Sequence, residues 1–207
     1  MPVLKVLAAC EYSGVVRDAF KKLGHDAWSC DFLDTEIPGQ HYQGDIKDIY
    51  GRDWDIVICF PPCTYIASSG IHWNARRPGR AAQTEEAIEF VKYLLSSKTK
   101  YVALENPIGV LSTRVRKPDQ IIQPWQFGHP ESKATCLWLK NLPPLKPTNI
   151  LEKPLSGRWS NQTPSGQNKL APGKDRWKDR SRTYQGIGNA MAFQWSEYIL
   201  KNDHNGD

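Results

Sequence analysis

The chain has 207 residues, 24% of them charged and 40% hydrophobic, with 15 glycines and 15 prolines. That size supports one domain with a core of its own, needing no disulfide or metal staple, and the composition excludes a chain disordered throughout. The longest apolar runs, such as Ile56–Pro62, fall far short of a membrane span, and five irregularly spaced cysteines suggest free thiols in a reducing compartment.

In chain order, Val3–Ala9 is a continuous apolar run, as in a strand buried on both faces. The segment Val6–Cys10 superficially resembles a lipoprotein cleavage box, but the apolar stretch before it is too short, so the expectation is a soluble, cytoplasmic protein. Gly14 opens a helix over Val15–Leu23 with Val16, Ala19, Phe20 and Leu23 on its inner face, and Gly24 closes it. Ala27–Cys30 reads as a second strand ending at Asp31, and Gly44-Asp45-Ile46 as the cap of a third short element. Asp55–Phe60 is another strand, stopped by Pro61-Pro62. Thr64–Gln83 reads as a long loop, and Glu85–Leu95 as a helix capped by Thr84. Strands follow at Tyr101–Leu104 and Ala134–Leu139, then a last helix at Ala190–Leu200. Strands alternating with helices predict an α/β, Rossmann-like, mainly parallel doubly wound sheet. Residues 1–207 then form one catalytic domain, with a basic extended loop at 143–182 that is rich in Pro, Gly, Asn and Ser.

The net charge of +5 is unevenly placed. Between Leu151 and Thr183 there are eight cations, Arg180 and Arg182 among them, against three anions, an excess equal to that of the whole chain. Thr64–Gln83 adds Arg76, Arg77 and Arg80 with no acidic residue. Clustered cations suit a polyanion such as DNA, although most charge runs are simply solvated surface. Trp159 and Trp177 could stack on bases or cover a sheet edge.

In a doubly wound sheet, ligands bind beyond the carboxyl ends of the strands. Glu11-Tyr12-Ser13-Gly14 follows the first strand, and Asp31, 17 residues past Gly14, ends the second, where an acid can accept ribose hydroxyls. Phe32 could lie against adenine and Asp45 accept its amino group; each acid is equally at home in an ordinary turn. The first loop has a single glycine, so a pyrophosphate fits poorly and an adenosine without phosphate fits better. Asp55-Ile-Val-Ile-Cys-Phe-Pro-Pro-Cys63 presents a thiol at the same edge, and Tyr101-Val-Ala-Leu-Glu105-Asn106-Pro107 a carboxyl 42 positions later. A thiolate with a carboxyl suits covalent catalysis on an electron-poor ring. Cys10, Cys30, Cys59 and Cys136 read as packed core, and the spacing of Cys59, Cys63 and His72 matches no metal-ligand pattern, so no metal is expected.

On these residues the chain resembles the C5-cytosine DNA methyltransferases. Phe60-Pro61-Pro62-Cys63 is similar to their nucleophile motif, Glu105-Asn106-Pro107 to their Glu-Asn motif, and Gly188-Asn189-Ala190-Met191 to their late Gly-Asn motif. Lys133-Ala134-Thr135 stands where that family has Arg-x-Arg, Thr64 where it has Gln, and Tyr12 and Val15 where it has glycines. The segment where the family inserts a large recognition domain is only about 35 residues here.

The resemblance implies S-adenosylmethionine as donor and DNA, duplex or single-stranded, as substrate. It implies Cys63 as nucleophile, Glu105 as the group assisting at N3, and Asn106 as the residue holding the Glu105 loop. The donor would lie among Glu11, Ser13, Gly14, Asp31, Phe32, Asp45, Ile46, Pro61, Asn189 and Ala190. The nucleic acid would lie on Arg76, Arg77, Arg80, Lys133, Thr135, Arg180 and Arg182. A partner or second copy would supply recognition that this chain lacks. The alternatives are methylation of free cytosine nucleotides and a catalytically silent binding module on the same fold.

Overall fold

The computed structural model describes residues 2–165 and 183–203. The strands are β1 (Lys5–Ala9), β2 (Asp26–Asp31), β3 (His41–Gln43), β4 (Ile56–Cys59), β5 (Tyr101–Pro107), β6 (Gln120–Ile122) and β7 (Thr135–Lys140). The helices are α1 (Val15–Lys22), α2 (Lys47–Tyr50), α3 (Ser68–Ile71), α4 (Arg80–Leu95), α5 (Leu111–Arg114) and α6 (Gln185–Asp203). They form one sheet of order β3-β2-β1-β4-β5-β7-β6, parallel except for β7, which runs antiparallel to both neighbours. This is a Rossmann-like α/β sheet. The chain winds outward from β1 to β3, then crosses back to β4, so the strand order reverses between β1 and β4.

The central strands are apolar because both their faces are covered. Val6, Ala8, Ile56 and Ile58 pack with Val16 and Phe20 of α1 and Met191 and Trp195 of α6. Leu7, Val57, Cys59 and Leu104 pack on the other face with Ile49 and Tyr50 of α2 and Ile88, Val91 and Leu94 of α4. α1 ends in a Schellman arrangement: the amide of Gly24 (φ 88°) donates to Lys21 and that of His25 to Phe20. Leu23, expected on the inner face, is 42% exposed, because this turn carries it away from the core.

The stretch expected as a loop over Thr64–Gln83 is largely structured. It contains α3, a 3₁₀ turn at His72–Ala75, and the first turn of α4, which begins at Arg80 and not at Glu85. Thr84 is therefore no cap. Its buried hydroxyl donates to the Tyr65 carbonyl (2.8 Å) and accepts from Asn74 Nδ2 (2.9 Å). β6 went unread in the sequence because it is only three residues long. Residues 143–165 hold no helix and no strand of the sheet. Within it Trp159 is buried and stacks on Trp125, ring centroids 5.8 Å apart and planes 3° apart, so its face is spent on the protein. Trp177 lies outside the described residues.

Candidate active site

The strand-order reversal leaves an open cavity of about 290 Å³ at the carboxyl edge. Asp31 and Phe32 from the end of β2, Asp45 and Ile46 from the turn before α2, Cys10 and Pro62 line it. Asp31 accepts from the Leu33 amide (3.0 Å) and Asp45 from the Lys47 amide (3.0 Å), which fixes both carboxylates at the rim. Burial pushes the Asp31 carboxyl above its usual value. Phe32 is 72% exposed, an aromatic ring standing at the cavity mouth. Cys10 was expected in the core. It adopts φ 58°, is half-buried, and turns its side chain to the cavity as β1 ends. The positive φ left no signal in the sequence. Pro62 lines the cavity whereas Pro61 does not; Lys47 and Phe90 line it too, and sequence reasoning missed all three of these contributors.

Beside this cavity, the first loop is closed by its own acid. Gly14 takes φ 77° as the cap of α1, and a Cβ there would meet Arg17 Nη2 at 2.6 Å. Glu11 is 4% exposed. One of its carboxylate oxygens accepts from the Ser13 hydroxyl and from the Val15 amide in the first turn of α1 (3.1 Å). Burial pushes this carboxyl up to about 7, against the pull of Ser13, the Val15 amide and Arg17. At the start of α6, Gly188 packs on Val15, and Asn189 is exposed and accepts from Gln185 Nε2 (2.8 Å). Ala190, expected at the cofactor, is 2% exposed and packs in the core instead, because it lies on the inner face of α6.

β4 and β5 are neighbours, with Cys59 opposite Leu104, so the thiol loop and the carboxyl strand leave the sheet side by side. Asn106 Nδ2 donates to the Pro61 carbonyl (2.9 Å), which ties the Glu105 strand β5 to the Pro-Pro-Cys turn. Two backbone bonds lace the segments that follow: Ser68 N to Ile108 O and Val110 N to Ile66 O, both 2.9 Å. Gly109 is required there, since a Cβ would lie 2.0 Å from the Ile66 oxygen. Cys63 is half-buried against the α2/α4 layer. Glu105 faces the other layer, in a small recess with Lys133, Thr135, Tyr184, Ile187 and Met191. The two groups thus share the edge and neighbouring strands, while neither described cavity is lined by both. Burial raises the Glu105 carboxyl above its usual value, opposed by Lys133 and Thr135.

Of the cations expected at nucleic acid, Arg76 and Arg77 are exposed, with the Arg77 guanidinium 4.4 Å from the centroid of the Trp73 ring. Arg80 is not a surface cation. It is 9% exposed, donates to the Thr64 carbonyl (2.8 Å) and lies over Tyr65, so it braces the turn after Cys63. Arg180 and Arg182 lie outside the described residues. Among the described residues no cluster of three or more His, Cys, Asp or Glu could hold a metal ion, and no helix is long and apolar enough to cross a membrane.

No family model and no curated protein matches the chain. Among solved structures it is similar to a putative DNA modification methyltransferase encoded within an E. coli prophage, at 15% identity and TM-score 0.46, over 74% of this chain and 53% of that one. It is also similar to a methyltransferase of Entamoeba histolytica, at 19% identity and TM-score 0.45, over 74% of this chain and 58% of that one. The chain therefore spans somewhat over half the length of each.

Proposed function

We propose that this protein transfers a methyl group from S-adenosylmethionine to C5 of cytosine in DNA. The observation that carries the reading is the lacing of the Cys63 turn to the Glu105 strand, through Asn106 and the Ile66–Val110 bond, beside a cavity that Pro62 also lines. Asp31 would accept the ribose hydroxyls, Asp45 the adenine amino group, and Phe32 would cover the base. Ser13, Gly14 and Asn189 would border the amino-acid part of the donor. When bound, the donor supplies an electrophilic methyl group on its sulfonium.

The chain's own residues do the rest. A pyrimidine entering over the carboxyl edge, between β4 and β5, meets sulfur on one side and carboxyl on the other. Cys63 attacks C6, and Glu105, whose carboxyl burial raises above its usual value, donates to N3. The added electron density at C5 accepts the methyl group, and loss of the C5 proton and of the thiol restores the ring. Lys133 and Thr135, beside Glu105, border the base. Arg76 and Arg77 would neutralise phosphates.

One observation favours free cytosine nucleotides as a second reading: Trp159 and Arg80 are spent inside the protein, which leaves little recognition surface among the described residues. Incubation with labelled donor and duplex DNA, single-stranded DNA, RNA or deoxycytidine monophosphate, followed by mass analysis, separates the readings. 5-Methylcytosine in DNA supports the first and 5-methyl-dCMP the second. Transfer to none of them leaves a silent binding module.

A further inference from the structure

The stretch between β6 and β7 brings Lys133 to the Glu105 recess, yet residues 131–134 belong to no strand of the sheet. Their main-chain groups need partners from elsewhere. Two carboxamides supply them. Asn161 accepts from the Ser132 amide at Oδ1 (2.9 Å) and donates from Nδ2 to the Ser132 carbonyl (2.8 Å), as a neighbouring strand would. Gln123 Oε1 accepts from the Lys133 amide (3.0 Å). Next to Asn161, the Ser160 amide and hydroxyl both donate to the Pro130 carbonyl (2.9 Å and 2.7 Å).

Asn161 is itself anchored. Trp159 beside it is buried on Trp125, and it exchanges hydrogen bonds with Gln162: its amide donates to Gln162 Oε1 (2.9 Å) and its carbonyl accepts from the Gln162 amide (3.0 Å). At the other end, Lys133 Nζ lies 5.9 Å from the centre of the Tyr184 ring, whose hydroxyl donates to Glu131. A cation acts on a carboxyl only while the distance between them is kept, and a lysine on an untethered stretch would turn its charge to solvent.

We infer that Asn161 is a positioning residue of the reaction centre: by stapling Ser132 to the extended segment it keeps the Lys133 ammonium beside Glu105. The inference rests on the reading of Glu105 as the proton donor and adds the residue that sets the pH range over which it donates. Burial raises the Glu105 carboxyl, and Lys133 opposes that rise, followed by Thr135. The other ionisable groups around the recess are Tyr184 with Glu131 on its hydroxyl, His129 against the Tyr184 ring (centroids 5.1 Å apart), and Cys136, raised by burial and by Glu105. Removing the ammonium lets Glu105 keep its proton to higher pH. Releasing Ser132 does the same in part.

The test is a pH titration of the Glu105 carboxyl in the full chain, followed by NMR of carbon-13-labelled glutamate and assigned with Glu105→Gln. Lys133→Met should raise the midpoint by on the order of one pH unit. Asn161→Leu should raise it by less, and adding that change to Lys133→Met should produce no further shift. Lys133→Arg should hold the midpoint near that of the wild type. If Asn161→Leu does not fold, Asn161→Ser makes the same measurement with a milder change. A merely structural Asn161 would lower stability or turnover and leave the midpoint where it is. That result, or a Lys133→Met midpoint equal to that of the wild type, overturns the inference. The alkaline limb of methyl transfer should shift in the same order across the variants. Midpoints that move as stated while the limb ignores them would retire Glu105 as the proton donor and leave the Asn161 assignment standing.

Discussion

Glu11 makes the ligand-free protein pay an electrostatic penalty that pH can switch off. Its carboxyl titrates at about 7 in the folded state, against 4.5 as the ordinary value, because burial disfavours the charge. The folded state therefore holds this proton more tightly than the unfolded one. The resulting stability is fully present below pH 4.5 and is lost as pH rises to about 7. At roughly 1.4 kcal/mol per pKa unit the whole effect is on the order of 3 kcal/mol, most of it falling between pH 5 and pH 8. Glu11→Gln keeps an oxygen for Ser13 and the Val15 amide but does not titrate. Urea unfolding of both proteins at pH 5 and pH 8 isolates the effect, since every other titrating group is common to the pair. The variant should gain roughly 2–3 kcal/mol on the wild type between the two pH values. An unchanged difference would refute the reasoning.

Asn106→Ala leaves the Pro61 carbonyl without its donor, so it should cost about 1–3 kcal/mol on denaturation and lower methyl transfer by loosening the Cys63 turn; unchanged turnover would detach Asn106 from the site. Replacing Arg76 and Arg77 by Ala should flatten the salt slope of DNA binding by up to about 2, near one per phosphate contact, while Arg80→Ala lowers stability and leaves the slope alone. A slope moved by Arg80→Ala and not by the pair would reverse that assignment. Glu105 has a raised pKa, so transfer by the wild type should decline as pH climbs through that value. Glu105→Gln should remove this alkaline limb, and a limb that survives in the variant would place the general acid elsewhere.

The central strands were legible because a parallel strand covered on both faces is apolar at successive positions, as in Ile56–Cys59. Their carboxyl ends then pointed to Asp31, Asp45 and the Cys63 and Glu105 segments before any coordinate. What escaped depends on contacts distant in sequence. Thr84 has the chemistry of a cap, but its hydroxyl is claimed by Tyr65 and Asn74, and the helix runs on past it. Arg80 looks like a phosphate clamp in a run free of acids, yet two main-chain carbonyls draw it inward. Gly109 and the φ of Cys10 matter only because another segment passes close by or a strand ends there. The antiparallel β7 carries no mark of its direction, since buried strands read alike either way.

The central claim is a bond between the sulfur of Cys63 and C6 of a cytosine. An oligonucleotide carrying 5-fluorocytosine makes that bond observable, because fluorine at C5 cannot leave as a proton does and elimination stops. With S-adenosylmethionine present, mass spectrometry of the digested protein should find the oligonucleotide attached to the peptide containing Cys63, with one methyl group added to the base. No adduct from a preparation that methylates the unmodified oligonucleotide, or attachment through another residue, would contradict the account.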